Sequence, residues 1–146
     1  MLLAGAMTNV RYFGYGPYES YVDKHRACVK HLYESTVRDQ HEDYIRPQEN
    51  GSHWNCDYVS LTGPMGGFEV YGDEFSFSAS PYTQEELERK AHNFELMPAQ
   101  ATVFCLDYRQ NGLGSNSCGP ALNPRYAMPD QFSFSFTILP VTRDEP

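Results

Sequence analysis

The sequence predicts an all-β, antiparallel domain, on three observations. Apolar residues recur with period two along several short runs, 11 Gly and 10 Pro fall between those runs as turn punctuation, and only one short segment has helical character. Of the 146 residues, 40% are hydrophobic and 14% aromatic, enough for one core, because a chain of this size buries roughly two-thirds of its unfolded surface. Charged residues make up only 21%, which argues against disorder.

Residues 10–15 read as the first strand, ended by Gly16-Pro17. Residues 18–40 are mixed and polar and predict loop with short elements. The stretch 46–51 holds Pro47 and an Asn50-Gly51 step, the chemistry of a tight turn with positive φ. Residues 54–61 alternate as a strand that would place Trp54, Cys56, Tyr58 and Ser60 on one face, and Gly63-Pro64-Met65-Gly66-Gly67 turns the chain. Residues 68–71 and 75–79 continue the period-two pattern. The helix is predicted over 83–92: Thr83 and Glu86 have capping-box spacing, and Leu87 and Ala91 form a narrow apolar face. Residues 102–108, rich in β-branched and aromatic side chains, suit a central strand. In the last run Phe132, Phe134, Phe136 and Ile138 share one face and Ser133, Ser135 and Thr137 the other, which predicts an aromatic core face. Six or seven strands and one helix amount to a sandwich-like architecture.

Charge narrows the function classes. Lys+Arg 11 against Asp+Glu 19 gives a net charge of -8, which argues against nucleic acid and anionic membranes as partners, because phosphate binding needs a basic surplus. The apolar opening 1–7 lacks a basic leader and is too short to span a bilayer, so no secretion signal or membrane helix is expected and a cytoplasmic location is. Cys28, Cys56, Cys105 and Cys118 show no zinc-site spacing and read as free thiols. His25, His31 and His41 are not spaced as metal ligands. Glu19, Glu49 and Asp107 could supply a carboxylate pair for glycoside hydrolysis, but spacing alone does not seat two of them together.

The most unusual stretch is Gln110-Asn111-Gly112-Leu113-Gly114-Ser115-Asn116-Ser117-Cys118-Gly119-Pro120. Three glycines among small polar side chains make a loop whose backbone can approach a ligand, or a long hairpin connection. Neither phosphate-loop spacing is present. Cys118 as a nucleophile would need an adjacent base, and no Cys/His signature supplies one.

Five motifs in order carry a resemblance. They are residues 12–23 (Y-F-G-Y-G-P-Y-E-S-Y-V-D), 44–53 (Y-I-R-P-Q-E-N-G-S-H), 75–80 (F-S-F-S-A-S), 82–87 (Y-T-Q-E-E-L), and Asp107-Tyr108-Arg109-Gln110 continuing through Gly112 to Pro120. Together they resemble the C-terminal, small-chain domain of bacterial β-galactosidases of glycoside hydrolase family 2. The resemblance implies a partial antiparallel β-supersandwich of the galactose mutarotase-like kind over 10–140, with 1–9 unmatched and 141–146 a tail. It implies that the catalytic glutamates sit on a separate (β/α)₈ barrel, so no residue here is catalytic. It further implies no cofactor in this chain, with any Mg or Na used by such enzymes held by other domains.

In that family the loop corresponding to 112–120 reaches the sugar and offers a stacking tryptophan, where this chain has Cys118. A thiol has no flat apolar face, so the resemblance leaves Ser115, Asn116, Ser117 and Cys118 as substrate-binding candidates, with Ser115, Asn116 and Ser117 as hydrogen-bond donors to sugar hydroxyls and Cys118 without the stacking role. Glu19, Arg46 and Glu49 lie in family motifs and are read as structural. The implied partners are a β-galactoside, the catalytic barrel and, in a homo-oligomer, further copies. An alternative is a stand-alone carbohydrate-binding or small-subunit module paired with a separate catalytic chain. A mutarotase-like epimerase would need a converging His and Glu for which no motif is present.

Overall fold

The computed structural model describes residues 2–4, 7–114 and 121–142. Seven strands are present among them: β1 (Leu2–Ala4), β2 (Asn9–Gly16), β3 (Val29–Thr36), β4 (His53–Gly63), β5 (Gly66–Ser80), β6 (Ala101–Asp107) and β7 (Thr137–Val141). The one α-helix, α1, spans Gln84–Arg89. Every pairing is antiparallel, in the order β1-β6-β5-β4-β2-β3, with β7 pairing β5 on the edge opposite β4, alongside a different stretch from β6. The all-β antiparallel expectation with one short helix is met.

A long bent strand turns this sheet into two layers. The first half of β5 pairs with β7 through Gly67 to Tyr71, and its second half pairs with β6 through Ser76 to Ser80. A straight strand would hold Phe68 and Ala79 roughly 36 Å apart. Yet the Phe68 ring lies 5.5 Å from that of Phe104, the cross-strand partner of Ala79. The bend falls where Asn55 of β4 and Glu74 of β5 both take positive φ, 53° and 52°, on either side of the Cys56–Phe75 pair. Paired bulges of this kind let strands pass from one layer to the other. Lys30 pins the corner from β3, reaching Asn55 Oδ1 at 2.6 Å and Asp57 Oδ2 at 2.8 Å, while the Glu74 amide donates to Asp57 at 3.2 Å.

The inner faces then meet in one core: Val10 and Tyr12 of β2, Val59 and Leu61 of β4, Val70, Phe75, Phe77 and Ala79 of β5, and Phe104 of β6. Tyr12 and Phe77, from opposite layers, pack edge to face at 5.3 Å.

Several expectations change here. Residues 29–36 form a strand, because all eight pair with β2, although their polarity does not alternate. The bulge at Asn55 breaks the phase of β4, so Cys56, Val59 and Leu61 are buried and Trp54 and Tyr58 only half so; one face carrying Trp54, Cys56, Tyr58 and Ser60 does not exist. Runs 68–71 and 75–79 are one strand. The helix is shorter than 83–92. Thr83 Oγ1 caps it by accepting from the Glu86 amide at 3.2 Å, but the Glu86 carboxylate accepts from Met97 N at 2.9 Å, so the reciprocal half of the capping box is absent. Of its predicted face only Leu87 is buried. The 132–138 run is strand only from Thr137, and Phe132, Phe134 and Ile138 are about half exposed; they are not core.

Candidate functional site

The four candidate sugar-contacting residues, Ser115, Asn116, Ser117 and Cys118, lie outside the described residues. The structure describes both roots of their loop. On the incoming root, the Asp23 carboxylate accepts from Leu113 N at 3.1 Å and from Gly114 N at 2.9 Å. Gly112 has φ +82°, and a Cβ there would stand 2.3 Å from Asp23 Oδ1, so glycine is required both by conformation and by this close approach.

Asp23 is held in turn by a tight turn, in which Tyr21 and Lys24 exchange backbone hydrogen bonds of 2.8 and 3.0 Å. A buried carboxylate anchors that turn. Glu19 Oε1 accepts from Lys24 Nζ at 2.6 Å and from the Tyr44 hydroxyl, and Oε2 accepts from Gly51 N at 2.9 Å and the Tyr21 hydroxyl at 3.1 Å. Burial alone would raise its pKa, but the donors from Lys24, Tyr44 and Gly51 prevail and hold the carboxyl below its ordinary value. Gly51, at φ +72°, presents its amide from the Asn50-Gly51 turn. Four partners therefore use Glu19 to join three loop segments, and its role is structural. Glu49 accepts from Gln84 at 2.9 Å, Asp107 accepts from Gln110 at 2.9 Å, and Arg46 is exposed; the structure brings none of these acids together as a catalytic pair.

Between the two roots lies a cleft of about 280 Å³, bordered by Trp54, His25, Tyr108, Arg109, Arg125 and Tyr126 among others. Its wall is aromatic. The His25 ring stacks on the Trp54 indole with centroids 4.3 Å apart, and Tyr15 backs the indole at 4.9 Å. His25 Nδ1 lies 3.0 Å from the Tyr21 carbonyl, an acceptor only, so Nδ1 carries the proton of the neutral ring. Arg109 lies over the Tyr108 ring at 5.5 Å and Arg125 over Tyr126 at 4.4 Å. A larger hollow of about 410 Å³ opens beside Glu19 and Tyr44, but its carboxylate is already engaged. Sequence reasoning missed the Trp54–His25 pair, since no spacing rule joins residues on β4 and the β2–β3 connection; the lone Trp beside a bulge was the available signal.

Burial pushes the thiols of Cys56, Cys28 and Cys105 up, which leaves all three protonated and unsuited to nucleophilic attack. Among the described residues no group of three or more His, Cys, Asp or Glu could hold a metal ion. No helix among them is long and apolar enough to cross a membrane.

Residues 1–138 match the protein family described as Beta galactosidase small chain. The chain belongs to this family. Its sequence is 46% identical over 138 residues to a beta-galactosidase of Actinobacillus pleuropneumoniae, covering 94% of this chain and 13% of that protein. It is 38% identical over 140 residues to a beta-galactosidase of Staphylococcus xylosus, covering 94% and 14%, and 32% identical over 133 residues to one of Arthrobacter sp. strain B7, covering 86% and 13%. The chain thus spans about 13–14% of the length of these relatives.

Proposed function

We propose that this chain is the C-terminal β-sandwich portion of a β-galactosidase of glycoside hydrolase family 2 that hydrolyses terminal β-D-galactosides such as lactose. The observation that carries the reading is that proteins called beta-galactosidase match nearly all of this chain with only about 13% of their own length. A catalytic barrel elsewhere in the polypeptide supplies the two glutamates and cleaves with retention through a covalent galactosyl intermediate. This chain contributes the 110–120 loop, whose Ser115, Asn116, Ser117 and Cys118 hydrogen-bond the sugar, and any metal ion is held by other domains. The Asp23 grip on Leu113 and Gly114 supports that reading, since a loop that positions donors on a ligand needs a fixed root. The acidic balance and buried thiols suit a cytoplasmic enzyme without nucleic-acid partners.

The test is kinetic. The chain alone gives no turnover of a chromogenic galactoside. In the complete polypeptide, Asn116→Ala and Cys118→Trp change KM for disaccharides or the preference among acceptors. Hydrolysis by the isolated chain, lost on one substitution in it, would overturn this division of labour; unchanged kinetic constants in both variants would make the loop structural.

A further inference from the structure

We propose that the cleft bordered by Trp54 and His25 binds one hexopyranose ring of a carbohydrate, with Trp54 as its stacking platform. This rests on the galactosidase reading for the sugar's origin, the leaving or accepting unit of a disaccharide, but not for the binding itself. The volume of about 280 Å³ lies just under the usual range for small-molecule pockets, roughly 300–1,000 Å³, and suits one ring rather than a larger ligand. Sugar recognition combines a flat apolar face for the ring's C–H groups with planar polar groups for its hydroxyls. Both are here.

Trp54 is the only tryptophan of the chain, half-buried, and held by ring contacts with His25 and Tyr15. Holding it lowers the entropy lost on binding. Arg109, Gln110 and Arg125 enter the same cleft from the two loop roots, and Asn55 and Glu74 enter it from the β4–β5 corner. Arg109 and Glu74 both line the cleft, and among the described residues neither makes an ion pair. Two guanidinium groups would also suit an anion, but the Glu74 carboxylate in the same space repels phosphate, whereas a hydroxyl can donate to Glu74 and accept from Arg109. The sequence holds no aromatic residue between 110 and 120, and Trp54 supplies an aromatic face in the cleft that Arg109 and Gln110 also line.

The experiment has two readouts. Saturation-transfer NMR and indole emission are recorded on the full 146-residue chain with methyl β-D-glucopyranoside, and with inorganic phosphate for comparison. The expected result is saturable sugar binding, weakened at least fivefold in Trp54→Leu and in His25→Ala and restored in Trp54→Phe, with far-UV circular dichroism confirming the fold. In the complete polypeptide, Trp54→Leu raises KM for lactose at least fivefold more than KM for 2-nitrophenyl β-D-galactoside, whose leaving group is not a sugar. No saturable sugar binding by the folded chain, equal affinity in Trp54→Leu, tighter binding of phosphate, or equal effects on the two substrates would overturn the proposal. Absence of galactosidase activity in the complete polypeptide would instead overturn the functional reading, and the binding measurement would still decide the cleft.

Discussion

Asp23 and Gly114 are 91 residues apart in the chain, and the carboxylate of one accepts the amide of the other at 2.9 Å. With the neighbouring bond from Leu113 at 3.1 Å, this fixes where the glycine-rich loop leaves the sheet. Bonds to a charged acceptor contribute about 1.5–3 kcal/mol at most, and less here because both are exposed to water.

Asp23→Ala should therefore free the loop root more than it destabilises the domain. Amide hydrogen exchange at Leu113 and Gly114 is expected to accelerate, while the unfolding free energy falls by less than about 1 kcal/mol. Gly112→Ala should do more harm. Its φ of +82° costs about 1–2 kcal/mol for a residue with a Cβ, and that Cβ meets Asp23 at 2.3 Å. In the double variant the clash part of this cost should disappear and the φ part remain, a difference that denaturation of all three proteins would read.

Glu19 is the residue whose loss should unfold the loop layer. Glu19→Ala leaves the Gly51 amide and two tyrosine hydroxyls without their acceptor and Lys24 without its partner, a loss of about 3 kcal/mol or more. Urea denaturation measures it. Arg46→Ala, at an exposed position of a neighbouring motif, is expected to stay within about 0.5 kcal/mol of the parent.

Acid should weaken the fold before the carboxylates titrate. His53 is buried between the Tyr15 carbonyl at 3.2 Å and the Gln40 side-chain amide, and burial lowers its pKa from 6.5 to about 4. As pH falls from about 6.5 to about 4, the unfolded chain takes up a proton that the folded chain refuses, so stability drops, by roughly 3 kcal/mol in all. Glu19, with its lowered pKa, adds a further loss below its ordinary value of 4.5. The unfolding midpoint of His53→Phe should show a flatter slope across the upper window, whatever its absolute stability.

An exposed aromatic group should be visible in solution. Tyr108, Phe132 and Phe134 stack with centroids 5.0 to 5.9 Å apart, and both phenylalanines are about half exposed. Phe132→Ser with Phe134→Ser is expected to reduce binding of an apolar dye to the isolated chain by severalfold without lowering its melting temperature by more than a few degrees.

How much of this was legible depends on how local the cause is. The antiparallel strands at 10–15, 54–61 and 102–108, the Thr83 cap and the positive φ of Gly51 follow from side-chain alternation, a hydroxyl before a helix and an Asn-Gly step. β3 was not legible, because an edge strand gains its hydrogen bonds from β2 and needs no apolar face of its own. The aromatic face of 132–138 misled for the converse reason: alternation specifies a pleat but not what covers it.

By itself, then, the sequence determined the fold class, the absence of a metal-ligand or nucleophile signature and, through five ordered motifs, the family. Only the tertiary structure decided which four donors the structural Glu19 gathers, that Asp23 holds the loop and that Trp54 and His25 meet at a cleft. The physical reason lies at the corner. Two residues with positive φ, Asn55 and Glu74, fold one sheet into two layers, and that bend brings together side chains whose spacing in the chain carries no periodic signal.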